Sequence, residues 1–454
     1  MLWCSRIRGS VTHLACLPDA ALVKCSAGIG TRATSGVHHT VCHLDTTPWH
    51  VDTTPWRFDS GGVIAAARDW LRAASASPAP AWRRAGTAAL GAWAAAQILH
   101  LVVAELSAVP PGGPLPSGIP HAWYQWDSVW FARIAEHGYP AAGAYAPAFF
   151  PLYPLLMAAL NPILPGGAFS AGLVVANLAC LAALVLLHRL AETETEPDTA
   201  ERMLWYLIAF PTGFFLTAAY NTSLFLALTV GAVYAMRRQR WWLAGALAAL
   251  AGATRSSGLL LLLPMAYEYL RVHGRRIRPD VLSLALVPAG LVGFVGYTWW
   301  ALGDPLAFLH AQRHWSRQFE WPWLALGRQV GMIARHKLFG DTGIHNLIDL
   351  GAVLLAATLV TLCFVGPWKL RRDQWALPVY GALLVLLMVL FPNTSARTPY
   401  PLQSSVRFFL EVFPAFLVLA RIGARPLADR AYLVIAVGAQ AILLAIFLHG
   451  GWVA

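Results

Sequence analysis

One acidic residue, Asp127, stands out because its surroundings are aromatic and largely apolar. It lies in residues 124–154, which read YQWDSVWFARIAEHGYPAAGAYAPAFFPLYP, and only Glu105 and Glu136 join it as acids between Asp69 and Glu192. An ionised carboxylate is costly close to a bilayer, so an acid in such a stretch is a candidate functional group. We interpret Asp127 as a catalytic base. The alternative is a solvated carboxylate at the membrane surface or a helix cap.

The residues around Asp127 follow a helical pattern. The spacing predicts an amphipathic helix over 123–137 that lies at the membrane interface, with Trp123, Trp126 and Trp130 along one broad stripe. Glu136 is nine positions beyond Asp127, which at ~100° per residue places the two carboxylates on opposite faces. They are therefore not expected to form a closely spaced acid and nucleophile pair.

A single carboxylate is sufficient for one kind of sugar chemistry. Hydrolysis of a glycosidic bond needs a second acid, whereas a sugar that leaves from a lipid phosphate needs only a base and a cation near the departing phosphate. Arginine suits phosphate oxygens because its donors form a planar fork. Eight basic residues lie in segments that we expect on the outer side, where some of them could simply keep a loop soluble: Arg255, Arg313, Arg317, Arg328, Arg335, Lys337, Arg397 and Arg407.

The composition indicates a membrane protein. Of the 454 residues 57% are hydrophobic and 12% are charged, and the mean hydropathy is +0.55, which is too apolar for a soluble core. The net charge of +11 falls largely in short loops between apolar runs, which is the pattern that sets membrane topology rather than one of nucleic-acid binding. Arginine greatly outnumbers lysine, which points weakly to a bacterium and its cell membrane.

Apolar runs predict an all-α, multi-pass protein with about eleven spans, within a range of nine to twelve. With the N-terminus inside, positive charge collects in the inside loops, provided that the proline-containing segment 149–164 does not cross but lies along the outer interface. The outer side then carries the polar segments 110–148, 303–343 and 392–407, while residues 254–257 could instead turn within a re-entrant hairpin. The predicted spans are 85–109, 169–188, 203–219, 223–236, 241–253, 258–270, 281–302, 344–365, 375–391, 408–422 and 431–449.

Other features restrict the function less. Residues 1–82 contain a repeated DTTPW and are interpreted as a disordered extension or as sequence upstream of the true start, so that 83–454 form the membrane domain. His310 and His314 give only a weak zinc signal, which leaves a divalent metal open, and no cofactor is firmly implied. The sequence has neither a Walker loop nor a dinucleotide-binding glycine motif.

Several sequence blocks in this order resemble the PIG-V family of GPI mannosyltransferase 2-like proteins, particularly its bacterial members. The resemblance covers about 85–422 and is carried chiefly by the outer loop with Trp126-Asp127 and the FFPLYP segment that follows it. The blocks are WDSVWFARIAEHGYP, AFFPLYPLL, FPTGFFLTAAYNTSLFLAL, RRQRWWLAGALAALAGATRSSGLLLLLP and SSVRFFLEVFPAFLVLA.

This resemblance implies a GT-C type membrane glycosyltransferase that takes a sugar, typically mannose, from a polyprenyl-phosphate donor on the non-cytoplasmic side. It implies an inverting transfer with Asp127 as the base, and by position Arg255 and Arg407 are the candidates for the donor phosphate. The acceptor is left open among lipid, glycan and protein. We expect further substrate contacts from Trp126, Tyr124, Trp130 and Glu136.

One position departs from the family pattern. Where members commonly read YTES, this chain reads Tyr220-Asn221-Thr222-Ser223, so that Thr222 replaces an expected acid. This puts in doubt either a metal or acceptor contact there or strict equivalence of substrates. The alternative function is a lipid or polysaccharide transporter without catalysis. A transporter should have ionisable groups near the bilayer midplane and often inverted repeats, neither of which the sequence indicates.

Overall fold

The computed structural model describes residues 79–108, 121–274, 276–338, 340–395 and 398–453. Within these ranges the chain is helical and forms no strand, which confirms the all-α class, and the only β-type pairing is an isolated bridge between Arg317 and Asn393. The predictions for residues 1–78 lie outside the described residues, and so does Arg397.

The α-helices are numbered in chain order. They are α1 (Ala79–Ser107), α2 (Asp127–Ala142), α3 (Leu152–Leu160), α4 (Gly167–Glu194), α5 (Pro197–Ala209), α6 (Thr222–Arg237), α7 (Trp241–Thr254), α8 (Leu262–His273), α9 (Ala289–Leu302), α10 (Ala307–His314), α11 (Pro322–Arg335), α12 (Asp341–Phe364), α13 (Ala376–Leu390), α14 (Ser405–Phe408), α15 (Phe413–Ile422) and α16 (Pro426–Leu448).

Four of these helices are long and apolar enough to cross a membrane alone, namely α1, α4, α12 and α16. A fifth candidate is the turn Pro279–Leu286 with α9, which meet at a bend of 45°, and α6, α7, α13 and α15 are shorter apolar helices. The protein is thus an integral membrane protein. All eleven predicted spans overlap helical segments, but the total of eleven crossings stays a prediction.

Some predicted spans are broken, and the breaks have identifiable causes. The predicted span 203–219 is split because α5 ends at Ala209, before Pro211, and a separate 3₁₀ turn, Gly213–Leu216, follows. Phe210, which precedes the proline, has an extended ψ of 145°, as expected from the clash of a proline ring with a helical neighbour. The chain therefore leaves the helix at Phe210 and Pro211 and continues into the separate turn.

The helix predicted over 123–137 is displaced along the chain. It begins at Asp127 and reaches Ala142, with a non-helical Gly138 at φ 71°, so Trp123 and Trp126 precede the helix instead of sharing its stripe. Trp123 lies instead near His100, Phe214 and Phe447, at centroid distances from 5.8 to 6.5 Å. Asp127 consequently stands in the first turn of α2, directly after an irregular connection.

The segment 149–164 contains only α3, whose nine residues are too few to cross a bilayer. Its Tyr153 is fully buried and donates a hydrogen bond to the Gly172 carbonyl of α4 at 2.9 Å. A small apolar cluster with Phe131 and Met157 completes this contact and fixes α2 and α3 against α4. The segment thus supports α2, and its position along a membrane surface stays a prediction.

The main core is built from α1, α4 to α7 and α12 to α16, whose apolar side chains form one continuous cluster. At the far end of α6 from Asn221, Arg237 donates to Glu194 at 2.6 Å and to Glu268 at 2.9 Å. This network joins α4, α6 and α8. Since a helix of 16 residues is ~24 Å long, the network lies well away from the residues at the start of α6.

Candidate active site

Asp127 and Arg407 form an ion pair although they are 280 positions apart. A guanidinium nitrogen of Arg407 donates to Oδ2 of Asp127 at 2.6 Å, and among the described residues none donates a hydrogen bond to the other carboxylate oxygen. The Arg407 side chain is 7% exposed and that of Asp127 is 24% exposed. The cation is thus nearly enclosed, while the carboxylate keeps an open side.

Arg407 is also surrounded by aromatic rings. Its guanidinium carbon lies 5.4 Å from the ring centroid of Phe215, 5.3 Å from that of Tyr220 and 5.3 Å from that of Phe408. Such faces attract a cation without using its N–H donors. The Nε atom of Arg407 is buried and has no hydrogen-bond partner among the described residues.

Arg255 also lies beside Phe408, and polar side chains hold it. It stands in an extended break between α7 and the turn Ser256–Leu261, and donates to the buried Glu411 and to Asn221 Oδ1, the latter at 2.9 Å. The break is tight because a side chain at Gly258 would collide with the backbone of Ala251. The structure therefore brings the two arginines predicted to bind phosphate together with Asp127.

A third cation, Arg317, completes this group. The guanidinium carbons of Arg255, Arg317 and Arg407 lie 5.0, 5.5 and 5.3 Å from the centroid of one ring, Phe408. Arg317 donates to the Gln403 carbonyl at 3.1 Å and makes no ion pair with any described residue. We call this group the Phe408 cluster: Arg255, Arg317, Arg407, Asp127 and Glu411 around Phe408.

Arg317 lies in a connection outside the helical spans, between α10 and α11, and its electrostatic environment is unfavourable to further positive charge. Burial is the main effect that lowers the pKa of Arg317, to about 10, and the positive charges of Arg407 and Arg255 act in the same direction. Asp127 and Asp349 act in the opposite direction. An anion bound near Arg317 would relieve this repulsion.

Backbone strain collects at the same site. In the described part of the chain, four non-glycine residues have positive φ, and three of them directly precede elements of the Phe408 cluster: Trp126 at 55°, Ser316 at 60° and Ser404 at 72°. Positive φ in residues with a side chain is unfavourable and persists only where surrounding contacts enforce it. The chain thus uses strained turns to aim Asp127, Arg317 and Arg407.

Trp126 is held by residues near the end of the described chain. Its Nε1 donates to the Gly451 carbonyl at 3.3 Å, and its ring meets Trp452 edge to face at 4.9 Å. The Trp452 carbonyl is 2.7 Å from Nε2 of His345 on α12. Trp126 remains 40% exposed, so its free face is available beside Asp127.

The other residues predicted to contact the substrate, on α2 and just before it, have separate surroundings. Trp130 stacks on Phe149 and meets Trp315, at centroid distances of 5.8 Å for both. Tyr124 packs against Phe169, and its pKa is raised by burial first and then by the negative charge of Glu136. Glu136 is exposed, and because it lies nine positions from Asp127 on the same helix α2, it belongs to the opposite face of that helix. A substrate role for Glu136 stays a prediction.

The remaining basic residues of the outer segments are not part of the cluster. Arg328 pairs with Glu320, while Arg313, Arg335 and Lys337 are exposed. His310 bonds to Asp304 at 2.7 Å. In the described ranges no group of three His, Cys, Asp or Glu residues could hold a metal ion.

Thr222 is buried, and its hydroxyl has no partner among the described residues. The carboxylate that pairs with Arg255 is that of Glu411, from a distant part of the chain. Sequence reasoning missed Glu411 and Asn221 as partners of Arg255. An available signal was the occurrence of Glu411 four positions after Arg407 in an otherwise apolar block.

The helices and the Phe408 cluster define an integral membrane protein with a buried, arginine-rich ionic site at one end of its helices. The sequence model of the family described as Mannosyltransferase (PIG-V) matches residues 118–273, which include Asp127 and Arg255. Residues 118–273 thus have the sequence pattern of the PIG-V mannosyltransferase family.

Curated relatives agree with this family. The rat protein GPI alpha-1,6-mannosyltransferase 2 is 34% identical over 336 residues, which are 65% of this chain and 66% of the rat protein. The mouse protein of the same name is 34% identical over 30% of each chain, and GPI mannosyltransferase 2 of Yarrowia lipolytica is 30% identical over 32% of this chain and 39% of its own length. The matched part thus spans only a portion of each relative.

Among solved structures, an oligosaccharyltransferase of Archaeoglobus fulgidus is similar over 78% of this chain and 53% of that chain. The TM-score is 0.39 and the sequence identity is 11%.

Proposed function

We propose that the protein is a membrane mannosyltransferase that moves mannose from a polyprenyl-phosphate donor to an acceptor hydroxyl on the non-cytoplasmic face of a bacterial cell membrane. The observation that carries this proposal is the Phe408 cluster, in which one partly open carboxylate lies among three arginines. Similarity to the PIG-V family supports the class of reaction. The acceptor could be a lipid, a glycan or a protein.

The roles follow from the contacts. Asp127 accepts the proton of the acceptor hydroxyl on its open oxygen while Arg407 holds the other oxygen at 2.6 Å. The acceptor oxygen then attacks the sugar carbon from the side opposite the phosphate, so that the configuration inverts. Arg255 and Arg407 stabilise the negative charge that develops on the leaving phosphate.

The aromatic residues have a supporting role in this proposal. The exposed face of Trp126 lies next to Asp127 and can stack on a sugar ring, and Trp130 extends the aromatic surface toward Trp315. Tyr124, which packs against Phe169, is the third aromatic residue that we place at the substrate. No step requires a metal, because arginine provides the positive charge that a leaving phosphate needs.

The test is a transfer assay in membranes that contain the full chain. Radiolabelled polyprenyl-phosphate mannose should label an acceptor, and the new bond should have the configuration opposite to that in the donor. GDP-mannose, supplied to membranes that cannot make the lipid donor, should give no label. Labelling from GDP-mannose alone would refute the lipid donor, and a retained configuration would refute the single-base mechanism.

A further inference from the structure

The charges of the Phe408 cluster do not balance. Three guanidiniums face two carboxylates, which leaves one positive charge, and Arg317 is the cation without an ion-pair partner among the described residues. Asp349 also acts on Arg317, but it makes no ion pair in the described part of the chain and accepts a hydrogen bond from the Val406 N–H at 3.3 Å.

Arg407 is held in a way that leaves it free to exchange its anion. A single hydrogen bond joins it to Asp127, and its Nε is buried without a partner among the described residues. The rings of Phe215, Tyr220 and Phe408 hold the cation whichever anion it binds. An unsatisfied, buried Nε is costly, so a ligand oxygen at this point would be favourable.

We propose that Arg407 exchanges anions during the reaction: it pairs with Asp127 at rest and with the phosphate of the departing lipid once Asp127 is protonated, while Arg317 binds that phosphate throughout. This inference rests on the proposed function and singles out Arg317 among the eight basic residues of the outer segments.

The step conserves atoms and charge. The acceptor hydroxyl gives its proton to Asp127, its oxygen forms the bond to the sugar carbon, and the bond from that carbon to the phosphate oxygen breaks with its electron pair on the phosphate. The phosphodiester donor carries about one negative charge and the monoester product about two. The cluster gains one positive charge when Asp127 is neutralised, so protein and lipid change charge together.

The cluster should therefore bind the lipid product more tightly when Asp127 cannot be charged. Farnesyl phosphate, a short polyprenyl monophosphate, is the probe, and its binding to the full chain in detergent micelles is measured by titration. We expect Asp127→Asn to bind it roughly tenfold more tightly than the wild type, because Arg407 is released to the phosphate. Adding Arg407→Gln to this variant should remove the gain.

Arg317→Gln should weaken the same binding by roughly tenfold or more, and Arg317→Lys should restore part of it because the charge returns without the planar fork. Arg313→Gln is the matched control, since Arg313 is an exposed arginine in the last turn of α10, four positions before Arg317, and lies outside the Phe408 cluster. Farnesol, which lacks the phosphate, should bind all variants alike. The melting temperature of each variant checks that it is folded.

The results separate this inference from the proposed function. If the wild type transfers mannose but Asp127→Asn binds farnesyl phosphate no more tightly, the exchange by Arg407 is wrong and the enzyme assignment stands. If Asp127→Asn binds more tightly and Arg317→Gln more weakly, while no transfer from a lipid donor occurs, the phosphate-binding roles of Arg407 and Arg317 stand and the proposed reaction is wrong. If the wild type binds no farnesyl phosphate, the phosphate-binding role of Arg317 is wrong, and the transfer assay alone decides the proposed reaction.

Discussion

Trp126 offers a direct test of whether strain orients Asp127. Its backbone angles, φ 55° and ψ −116°, are unfavourable for any residue with a side chain and acceptable for glycine. We compare Trp126→Gly with Trp126→Ala, because both variants lose the same contacts with Gly451 and Trp452. The difference between the two variants then reports on the backbone alone.

The expected difference follows from two opposing effects. Strain of this kind costs ~1–3 kcal/mol, and only the glycine variant is relieved of it. Glycine also makes the unfolded chain more flexible, which offsets about 0.4–1 kcal/mol of that gain. The free energy of unfolding should therefore be larger for Trp126→Gly than for Trp126→Ala by roughly 1 kcal/mol.

The assay is unfolding of the purified protein in mixed micelles by titration with SDS. Val129 is the control position, because it is exposed on α2 with ordinary helical geometry. There the Val129→Gly protein should be less stable than the Val129→Ala protein by about 1 kcal/mol. Trp126→Gly should also transfer sugar more slowly than Trp126→Ala, because Asp127 is then less firmly oriented. If Trp126→Ala proves as stable as Trp126→Gly, the reasoning from strain is refuted.

Two further predictions concern positions whose neighbours serve as controls. Thr222→Val should leave the free energy of unfolding and the transfer rate unchanged, since the Thr222 hydroxyl has no partner among the described residues. Ser223→Ala is the control and should lower the free energy of unfolding by about 1 kcal/mol, because it removes a 2.8 Å hydrogen bond to a carbonyl of α4. A strong loss of transfer in Thr222→Val would instead show a substrate contact. Arg237→Met should lower the free energy of unfolding by about 3 kcal/mol because it leaves the buried Glu194 without its ion-pair partner, while the exposed Arg238→Met should have little effect. Equal effects of the two arginine substitutions, measured by thermal unfolding, would contradict the role of the network.

The features that could be predicted from the sequence are those that depend on composition and local pattern. The all-α membrane class follows from long apolar runs, and the choice of Asp127 as a candidate follows from a charge in an apolar setting. The opposite orientation of Asp127 and Glu136 on α2 follows from helical periodicity. Arg255 and Arg407 were candidates by position, as the resemblance to the PIG-V family implied, and both lie in the Phe408 cluster with Asp127.

The features that could not be predicted depend on contacts between distant parts of the chain. Glu411 pairs with Arg255 across 156 positions, and no local pattern contains that information. The start of α2 at Asp127 depends on the strained turn at Trp126, which Gly451 and Trp452 support from the far end of the described chain. The helical spacing of the tryptophans alone extended the predicted helix back to Trp123.

The central claim is that Asp127 is the base of a sugar transfer. The most direct measurement is the rate of mannose transfer from polyprenyl-phosphate mannose by Asp127→Asn and the wild type at equal protein level, with the exposed Glu201→Gln as a control for the exchange of carboxylate for amide. We predict a loss of roughly a hundredfold or more for Asp127→Asn and a wild-type rate for the control. Transfer by Asp127→Asn at the wild-type rate would contradict the account, and loss of transfer in Glu136→Gln alone would move the base to Glu136.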